Sequence, residues 1–305
     1  GSEGGVGLPA EFERQILDSN LEDEIVRPLA KVYGLKRSRG NSLIVPGTSD
    51  TDHSSYEVAG VKSYWAGSEG ASKTEGDPKL RQIEMKVNEL YNYTESSDIL
   101  IEDSAIPISD MVGKLFFQSL RWRFDYAFLR GTGGGQPLGI LNSGAIGTQS
   151  AESGQDPNTI VWENIVGLLG KLMPGSFSKA VWLAEVSCIP QLLQMAIKLG
   201  TAGSYVPIMT GTDTWKILNR PLIITEKLPT LGSEGCLLLA DFSQYLILLK
   251  EGGFRLETSK EFKFKQDQTV FRMIARLDGQ PAIDSSLTLK SGTVVYPFVK
   301  LGEVK

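Results

Sequence analysis

The strongest alternation of apolar and polar positions lies in residues 109–130. The apolar side chains that recur every four residues are Val112, Phe116, Leu120, Phe124 and Phe128. This spacing places them along one face of a helix. Ser109 is a predicted N-cap, and Gly131 suits the position after the last turn. The pattern predicts a rigid helix roughly 30 Å long.

Period-two alternation predicts two strands, at residues 81–93 and 262–283, because successive strand side chains point to opposite faces. Asp278-Gly279 is typical of a tight turn. Residues 293–299 favour a final strand. Strands are therefore predicted both before and after the long helix.

Residues 158–260 alternate helical and extended patterns, which indicates a second α/β unit. Helices are predicted at about 162–172 and from 190 to 196. Strands are predicted at 180–183, 221–224, 236–240 and 245–249.

Residues 47–80 contain five Gly and six Ser but also several aromatic residues, which a disordered linker would lack. Tyr56 to Val58 and Lys62 to Trp65 are predicted as the two strands of a long hairpin. Because an isolated two-stranded ribbon is barely stable, we expect it to lie on a neighbouring copy, with Tyr64 and Trp65 as anchors. Tyr56, Lys62 and Lys73 are further candidate contacts in this region.

Residues 1–30 are predicted to form an arm. They carry seven acidic and two basic residues, with a short amphipathic piece through Phe12 and Ile16. The segment has too little apolar surface to fold on itself and needs another surface to lie on. Phe12 and Ile16 are therefore candidate contacts. The opening Gly1-Ser2 is either a scar from a cleaved tag or the product of a maturation protease, and the sequence leaves both possibilities open.

Composition and charge narrow the possible chemistry. The net charge of −5 argues against a general nucleic-acid binder, although it suits a container with a mildly acidic wall. Cys188 and Cys236 show no metal-ligand spacing and are expected to be buried free thiols. The presence of a single histidine, His53, argues against a hydrolytic triad and against a transition-metal site. We expect no catalytic, cofactor or metal site and no membrane-spanning segment.

The glycine-rich segment 131–140 raises the possibility of a phosphate-binding loop. Such a loop requires Gly-Lys-Ser/Thr at the start of a helix. Here the glycines follow a helix, whose carboxyl end presents negative charge, and Gln136-Pro137 comes next. The segment is instead interpreted as a chain reversal.

Several segments together resemble the major capsid proteins of tailed bacteriophages with the HK97-type fold. The matching segments, in family order, are 5–12, 125–141, 218–222, 239–245 and 271–279. No single motif is highly specific, but their order and spacing are, and they span nearly the whole chain.

The resemblance implies an α+β fold with four parts. The N-terminal arm is 1–30, and the extended E-loop hairpin is 47–80. A discontinuous peripheral domain comprises 31–46, 81–144 and 262–305, with its spine helix at about 109–130. An axial α/β domain comprises 145–261. Strand 81–93 is then expected to pair with residues 269–278.

The resemblance also implies a function. Many copies would assemble into pentamers and hexamers of an icosahedral phage head enclosing double-stranded DNA, which the protein would contact weakly and without sequence preference. Portal, scaffold or decoration proteins are expected partners, and assembly is expected in the host cytoplasm, with the virion as the final location. Some family members crosslink an E-loop lysine to a neighbour's asparagine. Lys62 and Lys73 lie in the right region, although exposed lysines usually only aid solubility.

Two alternatives stay open at this point. An encapsulin, a bacterial nanocompartment shell, would share the fold and enclose an enzyme instead of a genome. A soluble α/β enzyme would use Glu185, Asp241 or Glu251, although lone carboxylates at strand ends are usually turn or solvent residues.

Overall fold

The computed structural model describes residues 22–36, 40–55, 57–65, 75–103, 108–199, 204–207, 209–210 and 215–304. Within these ranges the chain is α+β, with sheets dominant. The helices are α1 (Asp98–Asp103), α2 (Ile108–Arg130), α3 (Trp162–Gly170) and α4 (Ile189–Gln194). The first ten strands are β1 (Lys31–Leu35), β2 (Ser42–Thr48), β3 (Glu57–Val58), β4 (Val61–Lys62), β5 (Leu80–Lys86), β6 (Asn88–Ser97), β7 (Ile146–Gln149), β8 (Val181–Ala184), β9 (Ala196–Leu199) and β10 (Ser204–Pro207). The others are β11 (Met209–Thr210), β12 (Lys216–Ile217), β13 (Arg220–Ile224), β14 (Leu237–Ala240), β15 (Tyr245–Lys250), β16 (Arg255–Lys263), β17 (Gln268–Pro281), β18 (Leu287–Thr288), β19 (Val294–Val295) and β20 (Phe298–Leu301).

The predicted long helix is present as α2. Its buried face includes Leu120, Phe124 and Phe128, as the four-residue spacing predicts. The predicted N-cap is wrong, because Ser109 lies inside the helix, which already includes Ile108.

The first sheet is built around β17, which pairs with β6 on one side and with β15 and β16 on the other. β1 extends the sheet by pairing in parallel with β15. Phe271, Met273, Ala275 and Leu277 on one face of β17 are buried. Met273, Ala275 and Leu277 pack in the same core as α2 residues Phe124 and Phe128.

Three predicted strands need correction. The predicted final strand, 293–299, covers β19 and the start of β20, which belong to different sheets. Residues 81–93 are not one strand: β5 pairs with β2, and only β6 pairs with β17, with Val87 between them. An unbroken alternation of side chains cannot reveal that its strand changes partner. Residues 262–283 likewise belong to two strands, since Phe262 lies one residue before the end of β16 and Phe264 lies in the turn before β17.

The turn predicted at Asp278-Gly279 is also wrong, because both residues lie inside β17. A side chain at position 279 would come within 3.0 Å of the Phe128 ring and of the Tyr245 hydroxyl. Glycine is required there by close packing across the core and not by a reversal of the chain.

The second sheet has seven strands in the order β11-β12-β13-β8-β14-β20-β7. β8 and β14 are buried along their whole length, as expected for strands covered on both faces. Leu183 and Leu238 face the core that contains α2, whereas Trp182 and Leu237 face the core of α3 and α4. The predicted second α/β unit is therefore present.

Strand pairing departs from the predicted domain boundaries at both ends of this unit. β15 and β16 fall in the predicted axial range but belong to the first sheet, whereas β20 falls in the predicted peripheral range but pairs with β14 and β7. Only residues 241–244 separate β14 from β15. Both strands are continuous apolar runs, so the sequence carries no sign that the chain changes sheets between them.

The glycine-rich segment is a tight chain reversal directly after α2. Gly131 and Gly139 close it through a 2.9 Å backbone hydrogen bond. A Cβ atom on Gly131 would lie 2.1 Å from the Pro137 carbonyl oxygen, and Gly133 has a positive φ of 81°. The interpretation as a reversal and not a phosphate loop fits this geometry.

Residues 22–30, the end of the predicted arm, pack against the body of the protein. Ile25 and Val26 are buried in the core that contains α2. The arm prediction therefore needs correction from Ile25 onward, since these two apolar side chains are satisfied within the subunit. Phe12 and Ile16 lie outside the described residues.

Candidate assembly surfaces

The ribbon, residues 47–65 and 75–80, continues from the pair β2 and β5. The antiparallel register runs from Ser42 opposite Lys86 to Thr48 opposite Leu80. A 2.9 Å hydrogen bond from Ser49 N to Lys79 O extends it beyond the strands. The predicted hairpin is present, but β3 and β4 have only two residues each. The predicted second strand, Lys62 to Trp65, is wrong beyond Lys62, because residues 63–65 are not in a strand.

The far end of the described ribbon is a two-residue turn at Ala59-Gly60, both with positive φ (49° and 88°). A Cβ atom on Gly60 would lie 2.2 Å from the Asp77 carbonyl oxygen, so only glycine fits. Lys79 N donates a 2.7 Å hydrogen bond to Ala59 O, which ties the returning strand to the turn. The ribbon therefore has a defined shape before any partner binds.

A second set of contacts fixes the base of the ribbon to the body. His53 N donates to Thr288 O, and Thr288 N donates to Thr51 O, at 2.8 and 2.9 Å. The Asp50 carboxylate contacts His53 Nε2 at 2.8 Å and accepts a hydrogen bond from Ala59 N at 3.1 Å. The β18–β19 hairpin therefore holds the base of the ribbon through backbone hydrogen bonds.

Electrostatics stabilise the turn. The Glu57 carboxylate lies 2.7 Å from Lys79 Nζ and 3.5 Å from Lys62 Nζ. The hydrogen bond from Lys79 holds the pKa of Glu57 below its ordinary value. Lys62, one of the two candidate crosslinking lysines, therefore lies beside a carboxylate of its own chain. Lys73 lies outside the described residues.

Beyond this supported turn, the ribbon exposes a series of apolar side chains. Trp65 is fully exposed and Tyr64 is 61% exposed. Val58, Val61 and Leu80 are exposed as well. Several exposed apolar side chains on a defined backbone are typical of a binding site. Tyr56 lies outside the described residues, as Lys73 does, so neither can be placed on this surface.

The open face of the first sheet is a second exposed surface, which the sequence analysis missed. It is formed by β6, β17 and β16 on the side away from α2. Tyr91 and Tyr93 of β6 and Phe262 of β16 are exposed, Phe262 to 74%. Tyr93, Phe262 and Arg272 line an open pocket of 550 Å³ on this face. The alternation in β6 contained the signal, because its polar face carries the two tyrosines.

Ion pairs cross this open face between strands. Arg272 pairs with Glu257, and Arg276 Nη2 lies 2.8 Å from Glu89. The hydrogen bond from Arg272 lowers the pKa of Glu257. Lys263 pairs with Glu95 at the end of the same face. The open face therefore combines exposed aromatic side chains with charged side chains whose charges are balanced by ion pairs.

The arm root, residues 22–30, is held by a buried cluster of charges. The Asp125 carboxylate accepts hydrogen bonds from Ile25 N (2.8 Å) and Val26 N (3.2 Å). Lys227 Nζ lies 3.4 Å from Asp125 and 2.9 Å from Glu22. Asp125 and Lys227 are almost completely buried. This cluster links the arm root, α2 and the loop after β13.

Burial raises the pKa of Asp125, and the hydrogen bonds from Ile25 N and the charge of Lys227 only partly oppose that effect. Burial acts on Glu22 in the same direction. There, hydrogen bonds from Glu226 N and from Lys227 outweigh it and lower the pKa. No pattern in the sequence predicts this cluster, since its members are up to 205 residues apart in the chain.

The remaining candidates have structural roles. Cys188 and Cys236 are both buried and free, as predicted. Glu185 and Asp241 accept hydrogen bonds from Ser187 N and Ser243 N and so cap short turns. Glu251 follows β15, and its N–H donates to Leu35 O. Among the described residues no cluster of His, Cys, Asp and Glu could hold a metal ion, and no described helix is long and apolar enough to cross a membrane.

Comparison with solved structures shows the same fold in phage-like particles. A chain from the "capsid of native GTA particle" matches with a TM-score of 0.77 and 18% identity, over 100% of this chain and 98% of that one. The chain from Microbacterium phage Oxtober96 matches with a TM-score of 0.68 and 16% identity, over 97% and 96%. The chain from Mycobacterium phage Adephagia matches with 0.67 and 10%, over 97% and 94%. These likenesses confirm the expected HK97-like α+β fold.

No curated protein sequence matches the chain. The family model described as "Phage capsid family" matches residues 4–290, which is most of the sequence. The chain therefore belongs to the phage capsid family and is a structural capsid protein.

Proposed function

We propose that many copies of this protein assemble, through pentamers and hexamers, into an icosahedral head around double-stranded DNA. The observation that carries the proposal is the ribbon, which has a defined turn yet exposes Tyr64 and Trp65. A side chain as large as tryptophan has little reason to be fully exposed unless another surface covers it. Copies of the same chain are the surfaces that a shell supplies.

The open face of the first sheet is the proposed receiving surface. Its 550 Å³ pocket is large enough for an indole ring, and it is lined by Tyr93, Phe262 and Arg272. Aromatic neighbours and an arginine are the surroundings that tryptophan favours at interfaces. Because the ribbon and the pocket are different surfaces, the contact is heterologous, which allows closed rings of five or six copies.

The proposed partners and the proposed place of assembly follow from a role as a subunit of a phage head. Portal, scaffold or decoration proteins are proposed partners, and the packaged DNA is proposed to be contacted weakly. Assembly is proposed in the host cytoplasm. The encapsulin alternative shares the fold but is not favoured, since the family match is to phage capsids. An enzymatic role for Glu185 or Asp241 is not proposed, because each caps a turn of its own chain.

Deleting residues 54–74 tests the proposal. The deletion spares the β2–β5 pair, so the subunit is expected to keep its circular dichroism and its unfolding midpoint. We expect it to stay small in light scattering and to form no shells in electron microscopy. Normal, stable shells from this variant would contradict the role of the ribbon.

Point variants distinguish the contribution of Trp65 from that of the ribbon as a whole. Trp65→Ala is expected to abolish or strongly weaken shells, and Trp65→Phe to restore them in part. Phe262→Ser on the receiving face is expected to reproduce the Trp65→Ala phenotype. Leu193→Ala, which also removes an exposed apolar side chain but lies on α4, is the matched control.

A covalent link through Lys62 or Lys73 stays a prediction from the resemblance. A ladder of oligomers on a denaturing gel of mature particles, lost in the Lys62→Arg or Lys73→Arg variant, would establish it. A single monomer band would exclude it.

A further inference from the structure

The charged cluster at the arm root contains a lysine and an aspartate that are both removed from water. The side chain of Lys227 is completely buried, and that of Asp125 is 1% exposed. Among the residues that the structure describes, Lys227 is the only buried lysine. Desolvation cancels much of the attraction within a buried ion pair, so burial of the pair is weak evidence of a stabilising role.

Lys227 is placed to act as a nucleophile toward Asp125. Its Nζ lies 3.4 Å from Asp125 Oδ2 and 2.9 Å from Glu22 Oε2. An amine must lose a proton before it can form a new bond, and Glu22 Oε2 is close enough to accept that proton. Two hydrogen bonds orient the Glu22 carboxylate, since Glu226 N donates to Oε1 at 2.6 Å and Thr225 Oγ1 donates to Oε2 at 2.8 Å. An amine, a proton acceptor and a carboxyl group therefore meet at one point.

Backbone donors hold the Asp125 carboxyl group from the other side. Val26 N donates to Oδ1 at 3.2 Å, and Ile25 N donates to Oδ2 at 2.8 Å. When an amine adds to Cγ, negative charge develops on the oxygen that is retained, and the Val26 N–H is positioned to stabilise that charge on Oδ1. Burial also raises the pKa of Asp125. The raised pKa favours the neutral acid, which an amine attacks far more readily than it attacks a carboxylate.

The surroundings favour the loss of water over its return. Val26 and Leu228, which adjoin the cluster in the chain, are buried in the core that contains α2. An amide is neutral, so its formation removes the desolvation cost of the buried ion pair. The fixed proximity of the two groups gives the amine a high effective concentration at Cγ. Glu22 is 26% exposed, so a released water molecule can leave along its side chain.

We propose that Lys227 and Asp125 join in an intramolecular isopeptide bond after the subunit has folded. The bond from Lys227 Nζ to Asp125 Cγ forms, and the bond from Cγ to Oδ2 breaks. One of the three protons of the ammonium group stays on the amide nitrogen. One passes directly to Oδ2, Glu22 relays the other, and Oδ2 leaves as water. The reaction needs no oxidant and no cofactor, and the distances above describe the cluster before it reacts.

The bond joins two separate parts of the subunit. Asp125 lies on α2 and Lys227 lies in the loop after β13, 102 positions further along the chain. Because α2 packs against the first sheet and β13 belongs to the second, the bond ties the two sheets together covalently. The proposal does not rest on the ribbon or on the proposed function, since the reaction takes place within one chain.

Intact mass spectrometry of the purified, denatured full-length protein tests the proposal. The parent protein is expected to weigh one water molecule less than its sequence predicts. Lys227→Met should have the full mass of its own sequence. Lys300→Met is the matched control, because Lys300 is another ion-paired lysine, 14% exposed, and its replacement should leave the mass deficit in place. A parent protein with the full mass of its sequence would overturn the proposal.

Digestion with trypsin locates the bond, because trypsin does not cut after a lysine whose amine is bonded. The expected product is a branched peptide in which residues 124–130 are joined to residues 217–250. Separate, unmodified peptides that end at Arg130 and at Lys227 would overturn the proposal. A water deficit confined to peptide 124–130 would show a succinimide at Asp125 and would overturn it as well.

The rate of bond formation tests the role of Glu22. Protein made by cell-free synthesis is quenched in acid at intervals, and its bonded fraction is measured by mass. Glu22→Gln should slow the reaction by about a hundredfold, as expected for the loss of a proton-transfer group. Glu24→Gln, in the same segment but paired with Arg27 and Arg121, should leave the rate unchanged. Equal rates for Glu22→Gln and the parent would overturn the proton relay on which the proposal depends.

Discussion

Trp182 in the second sheet and Trp65 in the ribbon are both tryptophans, but their environments are opposite. Trp182 lies in the centre of the second sheet, completely buried, and its indole N–H donates to Ile217 O at 3.1 Å. Trp65 lies in the ribbon, fully exposed. The sheet buries most of its large apolar side chains inside one subunit, whereas the ribbon forms backbone hydrogen bonds but leaves Tyr64 and Trp65 exposed.

This difference separates two kinds of stability. Burial of Trp182 contributes to the free energy of folding of each subunit, since its surface leaves water when the chain folds. Any burial of Trp65 contributes only when copies meet. Variants of the two regions should therefore be distinguishable by whether they change the subunit, the shell, or both.

The largest expected effect is on the sheet. Trp182→Ala should lower the free energy of unfolding by about 3–5 kcal/mol, through lost burial and a residual cavity. Urea unfolding followed by fluorescence measures it. Trp182→Phe, which keeps most of the volume but removes the hydrogen bond, should cost about 1–2 kcal/mol. Equal stability of Trp182→Ala and the parent would contradict the assignment of this region to the folding core.

The charged cluster at the arm root comes next. Asp125→Asn should destabilise the subunit by about 3 kcal/mol, because the nearly buried Lys227 loses one of its two carboxylate partners. Adding Lys227→Met should recover a large part of the loss, because the uncompensated charge is removed. If the double variant were less stable than Asp125→Asn, the cluster would not be governed by desolvation of Lys227.

The reversal after α2 supplies a matched pair of glycines. Gly131→Ala should cost about 1–3 kcal/mol, since the new methyl group meets the Pro137 carbonyl. Gly134→Ala in the same segment meets nothing within 4 Å and should change stability by less than about 0.5 kcal/mol. Thermal unfolding of the two variants measures the difference directly.

A smaller effect should appear in the pH dependence of stability. The pKa of Glu22 is lowered by folding, so its stabilising contribution is present above its unfolded value of about 4.5 and is lost as the pH falls below that. Asp125 has a raised pKa and acts in the opposite direction. Glu22→Gln should therefore flatten the loss of stability between pH 5 and 3, approximately the range over which a carboxylate titrates. Urea midpoints measured across that range test this, and an unchanged slope would contradict it.

The smallest effect on the subunit is expected in the ribbon. Trp65→Ala should change the free energy of unfolding by less than about 0.5 kcal/mol, because the side chain has no burial to lose. The same variant should lose its shells. A large loss of subunit stability would show that Trp65 is covered within its own chain.

Local patterns in the sequence were enough to predict the long helix and the α/β character of residues 158–260. Local residues suffice for these predictions. The helix follows from the four-residue spacing of Val112 to Phe128, and β8 and β14 follow from continuous apolar runs. The matching segments of the family supplied the HK97-like arrangement, which no local pattern contains.

Partner changes and distant contacts could not be predicted from the same patterns. The alternation of residues 81–93 continues through Val87, although the strands on either side pair with different partners. The glycine at 279 is explained by Phe128 and Tyr245, which are far away in the chain. Glu22, Asp125 and Lys227 likewise form a cluster only because three separate segments meet there.

The most direct test of the central claim is a high-resolution electron cryomicroscopy map of assembled shells. The account predicts that Trp65 of each ribbon is buried against a neighbouring copy, at the pocket lined by Tyr93 and Phe262. A map in which the ring of Trp65 still faces solvent in every copy of the shell would contradict it.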